Sequence, residues 1–239
     1  GMLVRFPLIL SIRSPDTVAK FQESIRQASP ALEEEQVRHV VLPPAAQPPV
    51  REDVIWRFRD RERQWRVSLG TGFVALETTR YHSRQDFLAR LRTVLAGVED
   101  TLNPQESLRL GIRYIDRIEN EAIDRIENLI DRSVLGIAGT EIGRVAQHVL
   151  TETVFPTEEG GSLRARWGHL PKQATIDPEA LEPIDGPSWI LDLDMFTSQP
   201  QAFSADGLLE TATKFSERIY TVFRWMVTSE FLRAYGGEP

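Results

Sequence analysis

Three observations predict an α+β fold, with mainly antiparallel sheet and helices packed on one face. Short stretches alternate apolar and polar residues, as in Trp65, Val67 and Leu69 against Arg66 and Ser68, or Leu108, Leu110, Ile112 and Tyr114 against Arg109, Gly111 and Arg113; that period of two marks half-buried strands. Other stretches keep helical spacing, the clearest being Phe87, Leu88, Leu91, Val94, Leu95, Val98 and Leu102. A one-sided helix must cover something apolar, and one-sided strands offer it. The third observation is order: strand, helix, strands, helix appears twice, with the break near Pro104. LILSIR at 8–13 and LRLGIR at 108–113 occupy matching places. The expectation is two pseudo-duplicated β-α-βββ-α halves, 1–104 and 105–239, in one compact unit.

Each element has a local reason. Residues 3–13 are apolar on both faces and read as a central strand. Ser14-Pro15-Asp16 is a helix start, with proline where its missing amide costs nothing; Val18, Phe21, Ile25 and Ala28 form the buried stripe, and Ser29-Pro30 ends it. A short strand is expected over 36–42. The proline-rich run 43–49 cannot pair in a sheet and reads as an extended loop. Residues 54–102 form a three-stranded meander and a helix. Ser83 with Asp86 makes a capping-box-like start to that helix, and Asn103-Pro104 stops it. A long strand follows over 107–118. IDRIEN at 115–120 recurs at 123–128, a spacing of no common repeat fold, and the second copy reads as a short helix. Residues 145–155 and 163–170 are strands joined by a turn at 157–161. Residues 171–187 are an irregular loop, 189–196 an apolar strand, and 204–234 a last helix with a seam of Leu208, Ala212, Phe215, Ile219, Val222 and Met226.

Composition narrows the function classes. The 239 residues carry a net charge of -7 and no cysteine. Disulfides, thiolate zinc sites and cysteine nucleophiles are therefore excluded, and a broad nucleic-acid-binding surface is not suggested. No apolar run approaches the roughly 20 residues that span a bilayer. Gly1-Met2 reads as a cleavage scar ahead of a start methionine, with no signal peptide, and a cytoplasmic location is expected.

A set of motifs carries a family resemblance: Glu77, Thr78, Thr79, Arg80 and Tyr81, then Ser83 and Phe87; Leu110 to Ile118 (LGIRYIDRI); Leu191 to Phe196 (LDLDMF); and Phe223 with Thr228, Ser229, Glu230, Phe231, Leu232 and Arg233. Together they resemble a sporadically distributed family of bacterial and archaeal proteins. Its pattern is a threonine pair and tyrosine before a helix, a LGLRYIN strand, a LDIDVF strand and a closing ITDELRE-x-FG. The chain departs from it where Asp116 replaces the usual asparagine and where 124–128 look duplicated. That family carries no established activity, so the resemblance implies no reaction; its patchy distribution points to mobile or accessory genes.

Candidate chemistry lies at two places. Asp192 and Asp194 are two apart on a strand and point to one face, where an Asp-x-Asp pair can hold a divalent cation; the alternative is the solvated face of a half-buried strand. Arg113, Asp116 and Arg117 stand near the end of the long strand, where an arginine fork could take a carboxylate or phosphate with help from Glu77; the alternative is a cross-strand ion-pair ladder. Arg57, Arg59, Arg61, Arg63 and Arg66 with Trp56 and Trp65 make a basic hairpin, diluted by Asp60 and Glu62, and read as solvated. His39, His82, His148 and His169 lack metal-ligand spacing, and no nucleophile elbow, P-loop or dinucleotide fingerprint is present.

The favoured expectation is a non-enzymatic module binding a small ligand or a protein, with a homodimer compatible, no membrane partner and no cofactor identified. Two alternatives stand beside it: a metal-dependent enzyme acting on a nucleotide or phosphate, and a partner-regulating protein of a mobile or accessory gene cluster.

Overall fold

A computed structural model describes residues 1–39, 51–158 and 160–236. The chain forms two compact units: residues 1–112 with 196–214, and residues 113–195 with 215–239. This division differs from the expected 1–104 and 105–239. Strands and helices are both abundant, the strands are largely antiparallel, and the α+β class holds.

The first unit opens with β1 (Met2–Arg5) and a 3-10 turn at Leu10–Arg13. The expected strand over 3–13 therefore stops early. Pro7 has no amide to donate to a ladder, and Leu8 and Leu10 lie exposed rather than in the core. Helix α1 (Pro15–Ile25) follows as expected, burying Val18, Phe21 and Ile25. Then come β2 (Ala31–His39), β3 (Arg51–Arg59), β4 (Trp65–Gly70) and β5 (Phe73–Thr78). The proline-rich run 43–49 lies outside the described residues.

Helix α2 (Arg84–Leu102) starts where Ser83 Oγ accepts the Asp86 amide at 3.1 Å, and it ends in Asn103, left-handed at φ 45°. Short strand β6 (Glu106–Ser107) leads into β7 (Arg109–Glu119). In this unit the strand order is β2-β3-β4-β5-β1-β7, with Met2 opposite Leu76 on one side and Ile112 on the other. Phe21 packs edge-on against Phe58, and Trp65 lies near Phe87, so both helices cover the same face of the meander.

The second unit continues β7 from Arg113. After it the expected short helix is broken: a 3-10 turn at Asn120–Arg125, then four-residue helices α3 (Ile126–Leu129), α4 (Arg132–Leu135) and α5 (Glu141–Arg144). Strands β8 (Val149–Pro156), β9 (Ser162–Leu170) and β10 (Ser188–Thr197) follow, in the order β7-β10-β9-β8. Strand β8 pairs antiparallel with β9, Phe155 opposite Leu163 and Thr153 opposite Ala165.

Phe196 to Lys214 belong to the first unit, where β11 (Gln201–Ala202) pairs with β6. The last helix is two helices, α6 (Ala205–Met226) and α7 (Ser229–Ala234). The expected single helix is interrupted because Thr228 Oγ1 accepts the Phe231 amide at 3.2 Å and starts a new one. Within the second unit Phe215, Ile219 and Met226 of α6 are buried, as are Leu191, Leu193 and Met195 of β10.

Candidate functional site

Alternation on β10 puts Asp192 and Asp194 on the opposite side from Leu191, Leu193 and Met195. That side is not solvated, contrary to the half-buried-strand alternative: Asp192 is 1% exposed and Asp194 6%. A buried carboxylate needs partners, and both have them. Arg113 donates from Nε to Asp192 Oδ1 at 2.7 Å and from Nη2 to Oδ2 at 3.1 Å. Arg166 donates to Oδ2 from Nε at 2.9 Å and from Nη2 at 2.6 Å. Arg164 Nη2 donates to Asp194 Oδ2 at 2.9 Å. Strands β7 and β9 therefore present a guanidinium on either side of the β10 carboxylate.

The loop 171–187 meets the same cluster. Arg113 Nη1 donates to Asp177 Oδ2 at 2.6 Å, and Arg117 Nη2 donates to the Glu182 carbonyl at 2.6 Å. Arg113 and Arg117, four apart on one strand, share a face and tie the loop down at two points. Burial alone would lower the Arg113 pKa, yet the hydrogen bonds and charges of Asp192 and Asp177 hold it above its ordinary value. Burial works to raise the Asp177 carboxyl, but the Arg113 bond and charge outweigh it and leave it below the usual carboxylate range.

Asp116 does not join this group. An even position beside odd ones points to the other face of β7, with Tyr114 and Ile118. It is half-buried, and burial pushes its carboxyl up to about 6. Glu77 belongs to the first unit, where it takes Arg66 Nε at 2.8 Å across β4 and β5. Of the four residues proposed for an anion, the structure thus brings together Arg113 and Arg117 only.

The cluster can do little metal or anion chemistry as it stands. Guanidinium donors already occupy both oxygens of Asp192. Among the described residues no group of three histidine or acidic side chains is placed to hold a metal ion. Four of the five arginines of the basic hairpin are likewise paired with carboxylates. Arg57 pairs with Glu35, Arg59 with Glu33 at 3.1 Å, and Arg63 reaches Glu33 at 3.7 Å. Its tryptophans are core residues: Trp56 Nε1 donates to the Ile12 carbonyl at 2.8 Å, and Trp65 carries Arg90 over its ring at 4.4 Å.

Each unit has a cavity. In the first, about 480 Å³ lies between α1, α2 and the β3–β4 turn. Three of its polar side chains are committed locally: Asp60 Oδ1 accepts the Gln64 and Trp65 amides, and Arg90 bonds Asp86 at 3.2 Å. In the second unit a groove of about 470 Å³ runs between β9 and the end of α6, lined by Phe155, Leu163, Trp167, Val222, Trp225 and Met226. Beside it, β8 is the last strand of the order. That strand exposes Leu150 at 45%, Val154 at 55% and Phe155 at 43%, and Trp225 stands 64% exposed at the groove.

Sequence reasoning missed this edge. The signal was the run Val154-Phe155-Pro156, apolar on both faces of the strand. It reads equally well as the interior of a sheet, and only the strand order shows that, among the described residues, no further strand lies beyond. No family model, no curated protein and no solved structure matches the chain. Among the described residues no helix is long and apolar enough to cross a membrane.

Proposed function

We propose that the protein is a non-enzymatic protein-binding module, and that its contact surface is the outer edge of β8 with the apolar groove beside it. One observation carries this reading: a terminal strand eight residues long exposes Leu150, Val154 and Phe155. An open edge is a row of unpaired backbone groups, and sheets that must stay unpartnered blunt it with charge, proline or a cover. Strand β2, the last strand of the first unit's order, is blunted in that way by Glu33, Glu34 and Glu35. Strand β8 has one charge, Glu152, before the proline that closes it. An added strand would take main-chain bonds from the edge and seat side chains in the groove, with Trp225 as an aromatic anchor. The arginine–aspartate cluster serves as the charged frame that fixes β7, β10, β9 and the 171–187 loop.

Site-specific photo-crosslinking tests it. A photoreactive residue at Val154 or Trp225 should capture a discrete protein adduct in cells. The same probe at exposed Lys20 is the control. Adducts at 154 and 225 no more frequent than at 20 would overturn the reading.

A further inference from the structure

The strand that pairs with this edge can be identified from β8 itself. We infer that it is β8 of a second copy, antiparallel about a two-fold axis at Glu152; this rests on the reading of β8 as a contact edge.

The argument is self-complementarity. A two-fold interface sets the same patch against itself, so residue i meets j and j meets i. In an antiparallel pair, directly opposite residues share a face. The centre of β8 is Leu150-Thr151-Glu152-Thr153-Val154, which reads alike in both directions by residue class. With the axis at Glu152, Leu150 meets Val154 of the second copy, Thr151 meets Thr153, and Val149 meets Phe155. Each match is one that favours cross-strand pairing: apolar on apolar and threonine on threonine. The exposed apolar side chains of the strand, Leu150, Val154 and Phe155, all find partners in this register. Moving the axis to Thr153 sets Val154 against Glu152 and Phe155 against Thr151, which loses the matches.

The one adverse contact is Glu152 against itself. It is answered by Arg166 on the neighbouring strand, whose Nε lies 3.8 Å from Glu152 Oε2. Arg166 is opposite Glu152 in the β8–β9 register. Each copy brings its own guanidinium, shared with Asp192, so the two central glutamates are flanked by arginines on either side rather than standing as a bare pair of like charges. The groove face contributes as well. Phe155 lies both in the strand and on the groove lining, so pairing covers part of the apolar wall.

Sedimentation equilibrium of the full chain, up to about 100 μM, measures the association directly. The wild type should be a dimer, and the double variant Leu150→Lys/Val154→Lys should raise the dimer Kd at least about a hundredfold. Both positions are exposed in the single chain, so its circular dichroism and melting midpoint below the dimerisation range should match those of wild type. Glu152→Gln should remain dimeric with an equal or lower Kd. A monomeric wild type at the highest concentration, or a double variant as dimeric as wild type, would sink the inference. If the wild type is monomeric while position 154 crosslinks a different protein, the binding-edge reading stands and the self-partner is wrong. If it is monomeric and position 154 crosslinks nothing above control, both fall.

Discussion

Both units set arginines against carboxylates on a sheet face, but the surroundings differ. In the first unit the pairs run across β2 to β5: Arg57 with Glu35, Arg59 with Glu33, Arg66 with Glu77. Their side chains are 23–48% exposed. In the second unit Asp192 is 1% exposed, Arg166 15% and Arg113 22%. Water screens the first set and has been largely removed from the second. Exposed pairs contribute little, and losing one partner is tolerated. A buried carboxylate between two guanidiniums is different, because removing it takes from two half-buried charges the partner they share and leaves Arg113 only Asp177 and Arg166 only the more distant Glu152.

The sharpest way to break the comparison is Asp192→Ala. It should cost about 3–5 kcal/mol, the range for breaking a buried pair, read as a large fall in the urea midpoint. If the cost is no more than that of an exposed pair, burial is not what distinguishes the two faces. A triple change, Asp192→Leu with Arg113→Met and Arg166→Met, should recover much of the loss, since apolar residues of similar volume need no partner.

Asp116 gives the next largest effect, with opposite sign. Its folded pKa, about 6, lies above the ordinary 3.8. Below pH 3.8 both states hold the proton and there is no penalty. As pH rises to about 6 the unfolded chain ionises first, so stability falls, and above that the loss is complete. Asp116→Asn removes the titration. It should stabilise the protein at pH 8 by on the order of 2 kcal/mol, less than the full shift implies because the group is half-exposed, and should do nothing at pH 3. Equal melting shifts at both pH values would contradict the burial of this carboxyl.

How much of this was readable beforehand depended on whether the cause was local. Helix α2 was legible because its stop and start are neighbours in sequence, Ser83 with Asp86 and Asn103 with Pro104. Asp116 could have been separated from Arg113 and Arg117 by parity alone; grouping them ignored the alternation of a strand. The Asp192 cluster was half legible. The Asp-x-Asp spacing put two acids on one face, but Arg166 and Arg113 lie 26 and 79 residues away along the chain. Nothing local says that guanidiniums rather than water or a cation will meet them. The open edge of β8 and the burial of β10 depend on strand order, which no window of sequence contains. Leu8 and Leu10 failed in the other direction: their apolar character suggested a core strand, and the structure leaves them exposed.

The loop 171–187 sharpens the comparison from an intermediate position, because Asp177 is 31% exposed while its partner Arg113 is 22% exposed. Asp177→Asn should cost about 1 kcal/mol globally. Its larger effect should be local: faster amide exchange and proteolysis within 171–187, with the rest of the unit protected. The sign with pH follows from a lowered pKa. The tether is whole above the ordinary carboxylate range and weakens as pH falls through the folded value. A loop equally protected in wild type and variant at pH 7 would mean that the Arg117 bond to the Glu182 carbonyl holds it alone.

The smallest expected effect completes the contrast. Glu77→Gln breaks the Arg66 pair on the open face of the first unit, yet Arg66 stays 26% exposed and within reach of solvent. The cost should be roughly 0.2–1 kcal/mol and should shrink further in high salt, where exposed charges are screened. Salt should change the Asp192→Ala deficit less, because the Asp192 carboxylate is 1% exposed and buried pairs are screened less than exposed ones. The two variants measured side by side in low and high salt therefore test the central point: the same two residue types on the same kind of strand act as surface or as core according to what covers them.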